Sequence, residues 1–203
     1  LGTGSTARYV VLALGEKVKA GLTIKGVATS RDTAELAHQS GIPLLETEDS
    51  WAIDVDIDGA DQVDPQLNLI KGGGGALLKE KIVAAAARQV IIVVDYTKLV
   101  PALGNSFPLP VEVIPFGWGS TARQIEELGM KPVLREQNGQ IFHTEAGHYI
   151  LDLHGWRIED PADLEIRLNL IPGVVETGLF IGRTDLLVVG TPRGVEVQRA
   201  ARR

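Results

Sequence analysis

The chain has 203 residues, of which 44% are hydrophobic and 23% charged, with a formal net charge of −6 and a pI near 5.3. This length fits one large domain, or a main domain with a smaller one, of ordinary globular composition. The acidic balance argues against general binding to nucleic acid or to anionic membranes. No stretch approaches the ~18 apolar residues of a membrane span, so we expect a cytoplasmic protein.

Three residue types narrow the chemistry further. Cysteine is absent, which excludes disulfides, thiolate catalysis and cysteine-based zinc sites. The four histidines have no metal-binding spacing, so we predict no metal site. Glycine is the outlier, with 23 of 203 residues, about 11% against a typical ~7%.

Helices and strands alternate in the first half of the chain. Apolar spacing predicts a helix directly after a glycine motif at Gly2, with Ser5 or Thr6 as its N-cap. The elements predicted next are a strand at 24–28, a helix ending at Gly41, a short apolar run at 42–45, a strand through Ile57, a helix at 76–89 and a strand at 90–94. Short strands separated by helices are typical of βαβ units and a mostly parallel sheet.

Prolines between residues 101 and 115 indicate a linker into a second unit. The elements predicted beyond it are strand 111–115, helix 120–128, strands 132–135 and 148–153, helix 161–170 and strand 174–177. This βαββαβ order is typical of a ferredoxin-like domain. Residues 186–189 form one more candidate strand, which we expect to return to the first sheet.

The glycine motif Gly2-Thr3-Gly4-Ser5-Thr6-Ala7 lies directly before a predicted helix, an arrangement that suits an anion. It also fits a dinucleotide fingerprint, which requires an acidic residue at the end of the next strand. That strand ends in Thr29-Ser30-Arg31 instead, so NAD binding is less favoured than phosphate binding. A plain tight turn is the structural alternative.

A second motif, Asp54-x-Asp56-x-Asp58-Gly59, resembles the start of a calcium loop, but Pro65 occupies the position that needs a bidentate glutamate. We predict that Asp54 and Asp56 lie on the solvated face of a strand. Asp58 and Asp61 follow at its carboxyl end, where ligands bind in open α/β sheets. On spacing alone, turn chemistry and a ligand site explain these two residues equally well.

Three further charged positions remain open on spacing alone. Lys71 precedes four consecutive glycines, which form either a flexible surface loop or a site where a cation meets an anion. Glu80 lies between two lysines, and the pattern favours a solvated charged turn. Lys98 follows the 90–94 strand and is equally well explained as a surface lysine.

Taken together, the motifs resemble those of type A ribose-5-phosphate isomerase, in the same order and over essentially the whole chain. They are Gly2-Thr3-Gly4-Ser5-Thr6, Ile57-Asp58-Gly59-Ala60-Asp61, Ile70-Lys71-Gly72-Gly73-Gly74, Lys79-Glu80-Lys81-Ile82, Asp95-Tyr96-Thr97-Lys98, Pro108-Leu109-Pro110-Val111-Glu112-Val113, Leu151-Asp152, Ile171-Pro172-Gly173-Val174-Val175 and Gly178-Leu179-Phe180.

The resemblance implies an α/β fold, with a Rossmann-like, mostly parallel sheet domain at 1–104 plus 179–203 and a smaller ferredoxin-like α+β domain at 105–178. It also implies a helix and a strand before the glycine motif, so we expect that first strand to be missing from this sequence. The implied reaction interconverts ribose 5-phosphate and ribulose 5-phosphate, a step of the non-oxidative pentose phosphate pathway. It needs no cofactor or metal, and the family usually forms homodimers or homotetramers.

By the same resemblance, Glu80 is the base that moves a proton between C2 and C1 through a cis-enediolate. Asp58 would transfer the proton of ring opening, and Asp58 and Asp61 would hold sugar hydroxyls. Lys71 and the loop amides would stabilise the oxyanion, while the glycine motif and Lys98 would bind the phosphate. The implied substrate contacts are Thr3, Gly4, Ser5, Thr6, Asp58, Gly59, Ala60, Asp61, Lys71, Gly72, Gly73, Gly74 and Lys98.

Three other classes of protein share parts of this pattern. A sugar-phosphate sensor domain of a transcription regulator has the same sheet architecture and needs no Glu80. A dinucleotide oxidoreductase would use the glycine motif for its cofactor, and an acyl-CoA transferase relative would use a glutamate as nucleophile. Formation of ribulose 5-phosphate without added cofactor distinguishes the isomerase from all three.

Overall fold

A computed structural model describes residues 1–46, 50–155 and 157–200. The helices are α1 (Ser5–Lys19), α2 (Arg31–Gln39), α3 (Leu77–Ala86), α4 (Trp118–Glu126) and α5 (Pro161–Asn169). The strands are β1 (Ile53–Asp58), β2 (Gln62–Val63), β3 (Leu69–Ile70), β4 (Ala87–Asp95), β5 (Leu109–Val113), β6 (Lys131–Leu134), β7 (Glu136–Gln137), β8 (Gln140–Ile141), β9 (Tyr149–His154), β10 (Val174–Thr177), β11 (Leu179–Phe180), β12 (Leu186–Thr191) and β13 (Gly194–Arg199). Within these described ranges, no helix has both the length and the apolar character needed to cross a membrane.

The chain divides into two compact units. Unit 1 comprises Leu1–Gly59, Lys79–Tyr96 and Arg183–Arg203, and unit 2 comprises Ala60–Leu78 and Thr97–Gly182. The predicted domains place 60–78, 97–104 and 179–182 in the first domain, whereas these segments pack in unit 2. The difference arises because β2, β3 and β11, which the sequence pattern did not reveal, pair into a small sheet of their own in unit 2. The predicted boundaries stay a prediction: the first domain comprises 1–104 with 179–203, and the second comprises 105–178.

Unit 1 is built on a sheet with the strand order β1-β4-β12-β13. The first three strands are parallel and β13 returns antiparallel, which confirms the predicted mostly parallel sheet. The helix predicted at 76–89 ends at Ala86, because Ala87 and Gln89 already pair with β1. The strands predicted at 24–28 and 42–45 are reduced to one parallel bridge, between Gly26 and Leu44.

The first residues of the chain join this bridge to the sheet. The amino group of Leu1 donates to the Val27 carbonyl at 2.8 Å, and the Thr29 amide donates to the Leu1 carbonyl at 3.2 Å. On the other side, the Gly2 amide donates to the Ile57 carbonyl at 3.0 Å. These bonds fix the glycine motif at the carboxyl end of β1, where ligands of open α/β sheets bind.

Unit 2 contains an antiparallel sheet with the order β10-β5-β9-β6, together with α4 and α5. In chain order these elements run β5-α4-β6-β9-α5-β10, which confirms the predicted ferredoxin-like arrangement. The central strand β5 is buried at every residue, and it packs into a core that includes Val111, Leu151 and Leu168. The β7-β8 hairpin is a further pair that the sequence pattern did not predict.

Candidate active site

The first glycine loop, residues 2–4, leads directly into α1. Gly4 is the N-cap residue at φ 116°, a conformation open to glycine and costly for other residues. The predicted cap by Ser5 or Thr6 is wrong, because the N-cap position is occupied by Gly4, which has no side chain to cap the helix. Since the first-turn amides of a helix have no partner within the helix and lie at the positive end of its dipole, they are suited to an anion.

Asp58, the last residue of β1, anchors this loop. Its Oδ1 accepts the Thr3 amide at 3.1 Å and the Gly59 amide at 2.7 Å. A Cβ on Gly2 would overlap that same carboxylate and would lie 2.6 Å from the Asp58 Cα. Gly2 is therefore required by close approach, and Asp58 performs the turn chemistry that its spacing allowed.

The hydroxyl group of Thr3 belongs to a cluster of four, together with those of Thr29, Ser30 and Thr33. Its Oγ1 lies 2.8 Å from Thr29 Oγ1 and donates to Ser30 Oγ at 2.9 Å. Thr33 Oγ1 donates to the Gly2 carbonyl at 3.0 Å, and Ser30 caps α2 by accepting the Thr33 amide. In the sequence, Thr29-Ser30 stands out only because it occupies the place where a dinucleotide site needs an acid. The signal that could have found the cluster is Ser30, a residue type that is strongly preferred at the N-cap of a helix such as α2.

The prediction that Asp54 and Asp56 lie on the solvated face of β1 is correct for Asp54 and wrong for Asp56. Asp54 is exposed, as expected, but Asp56 is only 1% exposed, while Val55 is 43% exposed. The reason is the parallel register, which places Asp56 and Asp58 level with Val90 and Ile92 on the buried face of the sheet. Strand period predicted the alternation, but it could not identify which of the two faces is buried.

Glu80 lies in the first turn of α3, where a carboxylate interacts favourably with the helix dipole. It is only 4% exposed, and the neighbouring Lys81 is 5% exposed, whereas Lys79 is exposed. The prediction of a solvated charged turn is therefore wrong for Glu80 and Lys81. Because buried charged side chains are uncommon and often belong to functional sites, Glu80 is a candidate for chemistry.

The second glycine loop, residues 71–75, begins with an almost completely buried lysine. Lys71 is 3% exposed, its amide donates to the Gly178 carbonyl at 2.9 Å, and its Nζ lies 5.4 Å from the centre of the Phe180 ring. The alternative of a flexible surface loop is thus wrong for Lys71, although Gly73 and Gly74 are exposed.

Asp61 anchors the second loop as Asp58 anchors the first. Its Oδ2 accepts the Gly73 amide at 2.8 Å, and its own amide donates to the Ile70 carbonyl at 2.8 Å. Lys98 is half-buried and precedes Leu99, whose backbone bridges Val63 in parallel. That bridge places Lys98 beside the start of β2, just after Asp61.

The predicted site residues therefore fall into two sets, one in each unit. The unit 1 set contains Thr3, Gly4, Ser5, Thr6, Asp58, Gly59 and Glu80; the unit 2 set contains Ala60, Asp61, Lys71, Gly72, Gly73, Gly74 and Lys98. Within unit 1 the structure joins Thr3 to Asp58, and within unit 2 it joins Asp61 to Gly73. In the part of the chain that is described, no group of three or more His, Asp or Glu side chains is arranged to hold a metal ion.

Comparison with known proteins identifies the family. The sequence model of "Ribose 5-phosphate isomerase A (phosphoriboisomerase A)" matches residues 25–194. This chain belongs to the ribose 5-phosphate isomerase A family. A ribose-5-phosphate isomerase A of Gloeobacter violaceus is 52% identical over 97% of this chain and 86% of its own length. Its counterpart in Thermomicrobium roseum is 48% identical over 100% of this chain and 86% of its own length.

Solved structures of the isomerase family have the same fold. A D-ribose-5-phosphate isomerase in complex with phospho-erythronic acid superposes with a TM-score of 0.94 at 44% identity, covering 98% of this chain and 89% of its own. The ribose 5-phosphate isomerase A of Methanocaldococcus jannaschii gives 0.93 at 40% identity, with the same coverage. The predicted family, α/β fold class and isomerase class are thus confirmed, and the sensor, oxidoreductase and transferase alternatives are not supported.

Proposed function

We propose that this protein interconverts D-ribose 5-phosphate and D-ribulose 5-phosphate, as an aldose–ketose isomerase of the non-oxidative pentose phosphate pathway. Its membership in the isomerase family supports the reaction. A relative of the same fold was solved with phospho-erythronic acid, a compound that carries a phosphate and a carboxylate. A sugar phosphate is therefore the substrate class.

Glu80 acts as the general base in this proposal, which rests on its match to the family motif Lys79-Glu80-Lys81-Ile82 and is supported by its burial in the first turn of α3. The carboxylate takes the C2 proton of the open-chain aldose, and the electron pair of that C–H bond forms the C1–C2 double bond of a cis-enediolate. Return of the proton to C1 completes the ketose, while the hydroxyl proton of O2 passes to O1. A positioned base typically contributes ~10²–10⁴-fold to the rate.

The two anchoring aspartates hold the sugar in this scheme. Asp58 transfers the proton that opens the ring and, with Asp61, accepts hydrogen bonds from sugar hydroxyls beside Gly59 and Ala60. Lys71 and the amides of Gly72–Gly74 stabilise the negative charge that develops on the enediolate oxygens. Donors fixed in place before the reaction are the main source of such stabilisation.

The phosphate is bound by the first glycine loop in this proposal. The first-turn amides of α1 and the hydroxyls of Thr3, Ser5 and Thr6 are its donors, and Lys98 supplies a positive charge. Because the phosphate is remote from the reacting carbons, these contacts are expected to affect KM more than kcat.

The deciding experiment compares Glu80→Gln with the unchanged protein in a coupled ribulose 5-phosphate assay, without cofactor and in the presence of EDTA. We expect kcat to fall by at least about 10²-fold, with KM nearly unchanged. Glu112→Gln is the matched control, because Glu112 is equally buried (1% exposed) and has no proposed role in the reaction. Near-normal turnover of Glu80→Gln would remove Glu80 as the base.

Lys98→Ala separates phosphate binding from the chemistry. We expect it chiefly to raise KM, and an unchanged KM would remove Lys98 from the phosphate site. Assembly into a homodimer or homotetramer and a cytoplasmic location also stay predictions. Light scattering of the purified protein and cell fractionation test them.

A further inference from the structure

Arg135 follows β6 in unit 2 and forms a two-pronged ion pair with Asp152 of β9. Its Nε donates to Asp152 Oδ2 at 2.8 Å and its Nη2 to Asp152 Oδ1 at 2.6 Å. The two side chains are only 13% and 15% exposed. A planar guanidinium held at two points has a fixed orientation, which a lysine could not reproduce.

The third nitrogen of the same guanidinium holds the second glycine loop. Arg135 Nη1 donates to the carbonyls of Gly72 at 2.9 Å and Gly73 at 3.1 Å. The Phe142 ring lies 5.7 Å from the guanidinium carbon, and the same ring packs against Gly75, where a Cβ would come within 2.5 Å of Phe142 Cζ. Arg135, Asp152 and Phe142 therefore form a clamp on the loop, which we call the arginine clamp.

The clamp determines where the loop amides point. In a trans peptide, a carbonyl and the following N–H point in opposite directions. The carbonyls of Gly72 and Gly73 face Arg135, so the N–H groups of Gly73 and Gly74 face away from it. The Gly73 N–H indeed donates to Asp61 Oδ2 on that side. Gly74 is exposed, and its N–H makes no hydrogen bond within the described part of the chain.

A run of four glycines has the greatest backbone freedom of any sequence. Within the loop, the Gly75 amide donates to the Gly72 carbonyl at 3.0 Å, so this turn constrains the Gly72–Gly73 peptide plane. The clamp adds a constraint from outside the loop, which also holds the Gly73 carbonyl, through acceptors that the substrate does not need. Because the clamp binds only carbonyls, the amide donors of the loop stay available for an anion.

We propose that Arg135 is a positioning residue of the isomerase: with Asp152, it fixes the two peptide planes so that the Gly74 amide faces the developing enediolate oxyanion. The inference rests on the proposed function, because it assigns the oxyanion to this loop. Arg135 itself does not touch the substrate in this proposal.

The test uses Arg135→Met, which keeps much of the side-chain length, and Arg135→Lys, which keeps the charge but loses the fork. For both variants we expect kcat to fall at least about tenfold, as for a displaced oxyanion donor, while KM changes little. The Kd of phospho-erythronic acid, measured by calorimetry, should rise by a similar factor because its carboxylate needs the loop. The Kd of inorganic phosphate should stay unchanged, because phosphate binds at the first loop.

Two further variants separate positioning from general loss of structure. Arg167→Met removes the exposed Arg167–Asp163 pair of α5 in the same unit and should leave every measurement unchanged. Asp152→Asn keeps Arg135 but removes the charge that orients it, and should reproduce part of the loss in kcat. Thermal unfolding is recorded for all variants, so that a folded Asp152→Asn keeps the test decisive if Arg135→Met does not fold.

The outcomes are distinct. Wild-type kcat in Arg135→Met, or an equal loss of phosphate and phospho-erythronic acid affinity, overturns the positioning role. If the unchanged protein shows no isomerase activity, the proposed function fails. In that case, loss of phospho-erythronic acid affinity alone in Arg135→Met still supports the clamp, and unchanged affinity overturns it.

Discussion

The two glycine loops present backbone amides in different ways. The first loop, residues 2–4, leads directly into α1, so the helix orients the first-turn amides. The second loop, residues 71–75, ends before α3 begins at Leu77. Its peptide planes are held by a turn within the loop, in which the Gly75 amide donates to the Gly72 carbonyl, and from outside by Asp61 on one side and by Arg135 on the other.

This difference shows where each loop is sensitive to change. Each loop has an amide that is held by an aspartate carboxylate. In the first loop Gly2 also lies directly against Asp58 and leaves no room for a Cβ, whereas in the second loop a guanidinium also holds two carbonyls. A methyl group added at Gly2 should therefore disturb the first loop, and removal of the Arg135 charge should disturb the second.

The largest effect is expected from Gly2→Ala. The new methyl group would overlap the Asp58 carboxylate, so the loop or β1 must shift, which we expect to lower the free energy of unfolding by about 2–3 kcal/mol. A displacement of about 1 Å can cost about 10²-fold in rate, so kcat/KM should fall by at least that factor. Chemical denaturation and the isomerase assay check both values.

Gly119→Ala is the control for that substitution, because Gly119 lies in α4 with nothing near the position of its missing Cβ. It should raise stability by about 0.5–1 kcal/mol and leave activity unchanged. A Gly2→Ala protein as stable and active as wild type would contradict the steric requirement.

Asp58→Asn tests whether the anchor of the first loop also does chemistry. Asparagine keeps an oxygen that accepts the Thr3 and Gly59 amides, so stability should change by less than about 1 kcal/mol. Loss of the proton carrier should lower kcat by about 10²-fold. Asp61→Asn also keeps its acceptor for Gly73, and it should chiefly raise KM.

Asp160→Asn is the matched control for both aspartate variants. The Asp160 Oδ1 accepts two backbone amides at the start of α5, as Asp58 does in the first loop. Since asparagine caps a helix as well as aspartate, this variant should be neutral. Full activity in Asp58→Asn would restrict Asp58 to anchoring.

Gly75→Ala should have a smaller effect, confined to the second loop. Gly75 has φ 79° and faces the Phe142 ring, so alanine adds both backbone strain and a contact. We expect a loss of about 2 kcal/mol in stability and about a tenfold loss in kcat. Gly41→Ala, with φ 77° and open space around it, measures the strain alone. Equal losses in the two variants would show that Phe142 does not press on the loop.

Ser5→Ala should have the smallest effect. Since the N-cap of α1 is Gly4 and not Ser5, removal of this hydroxyl should change stability by less than about 0.5 kcal/mol, with a modest rise in KM. Asp160→Ala removes an observed cap of α5 and should cost about 1 kcal/mol. A similar cost for Ser5→Ala would mean that Ser5 caps its helix in solution.

Much of this organisation was predictable from local pattern. The helical spacing after Gly2 predicted α1, the alternation through Ile57 predicted β1, and the βαββαβ order predicted the ferredoxin-like sheet. The two-residue strands β2, β3 and β11 were not predictable, because so short a pairing has no periodicity and because β11 pairs with β3 from a distant part of the chain. The hydroxyl cluster around Thr3 was missed for the same reason, since Thr29 lies 26 residues away.

The sequence by itself determined the order of the elements, the family motifs and the origin of the glycine surplus, of which Gly2, Gly4 and Gly72–Gly75 lie in the two loops. These properties depend on residue type and on local spacing. Only the tertiary structure decided that Asp56, Lys71 and Glu80 are buried, and that Arg135 holds the second loop. Burial and long-range hydrogen bonds depend on which surfaces meet after folding, and no local pattern encodes that.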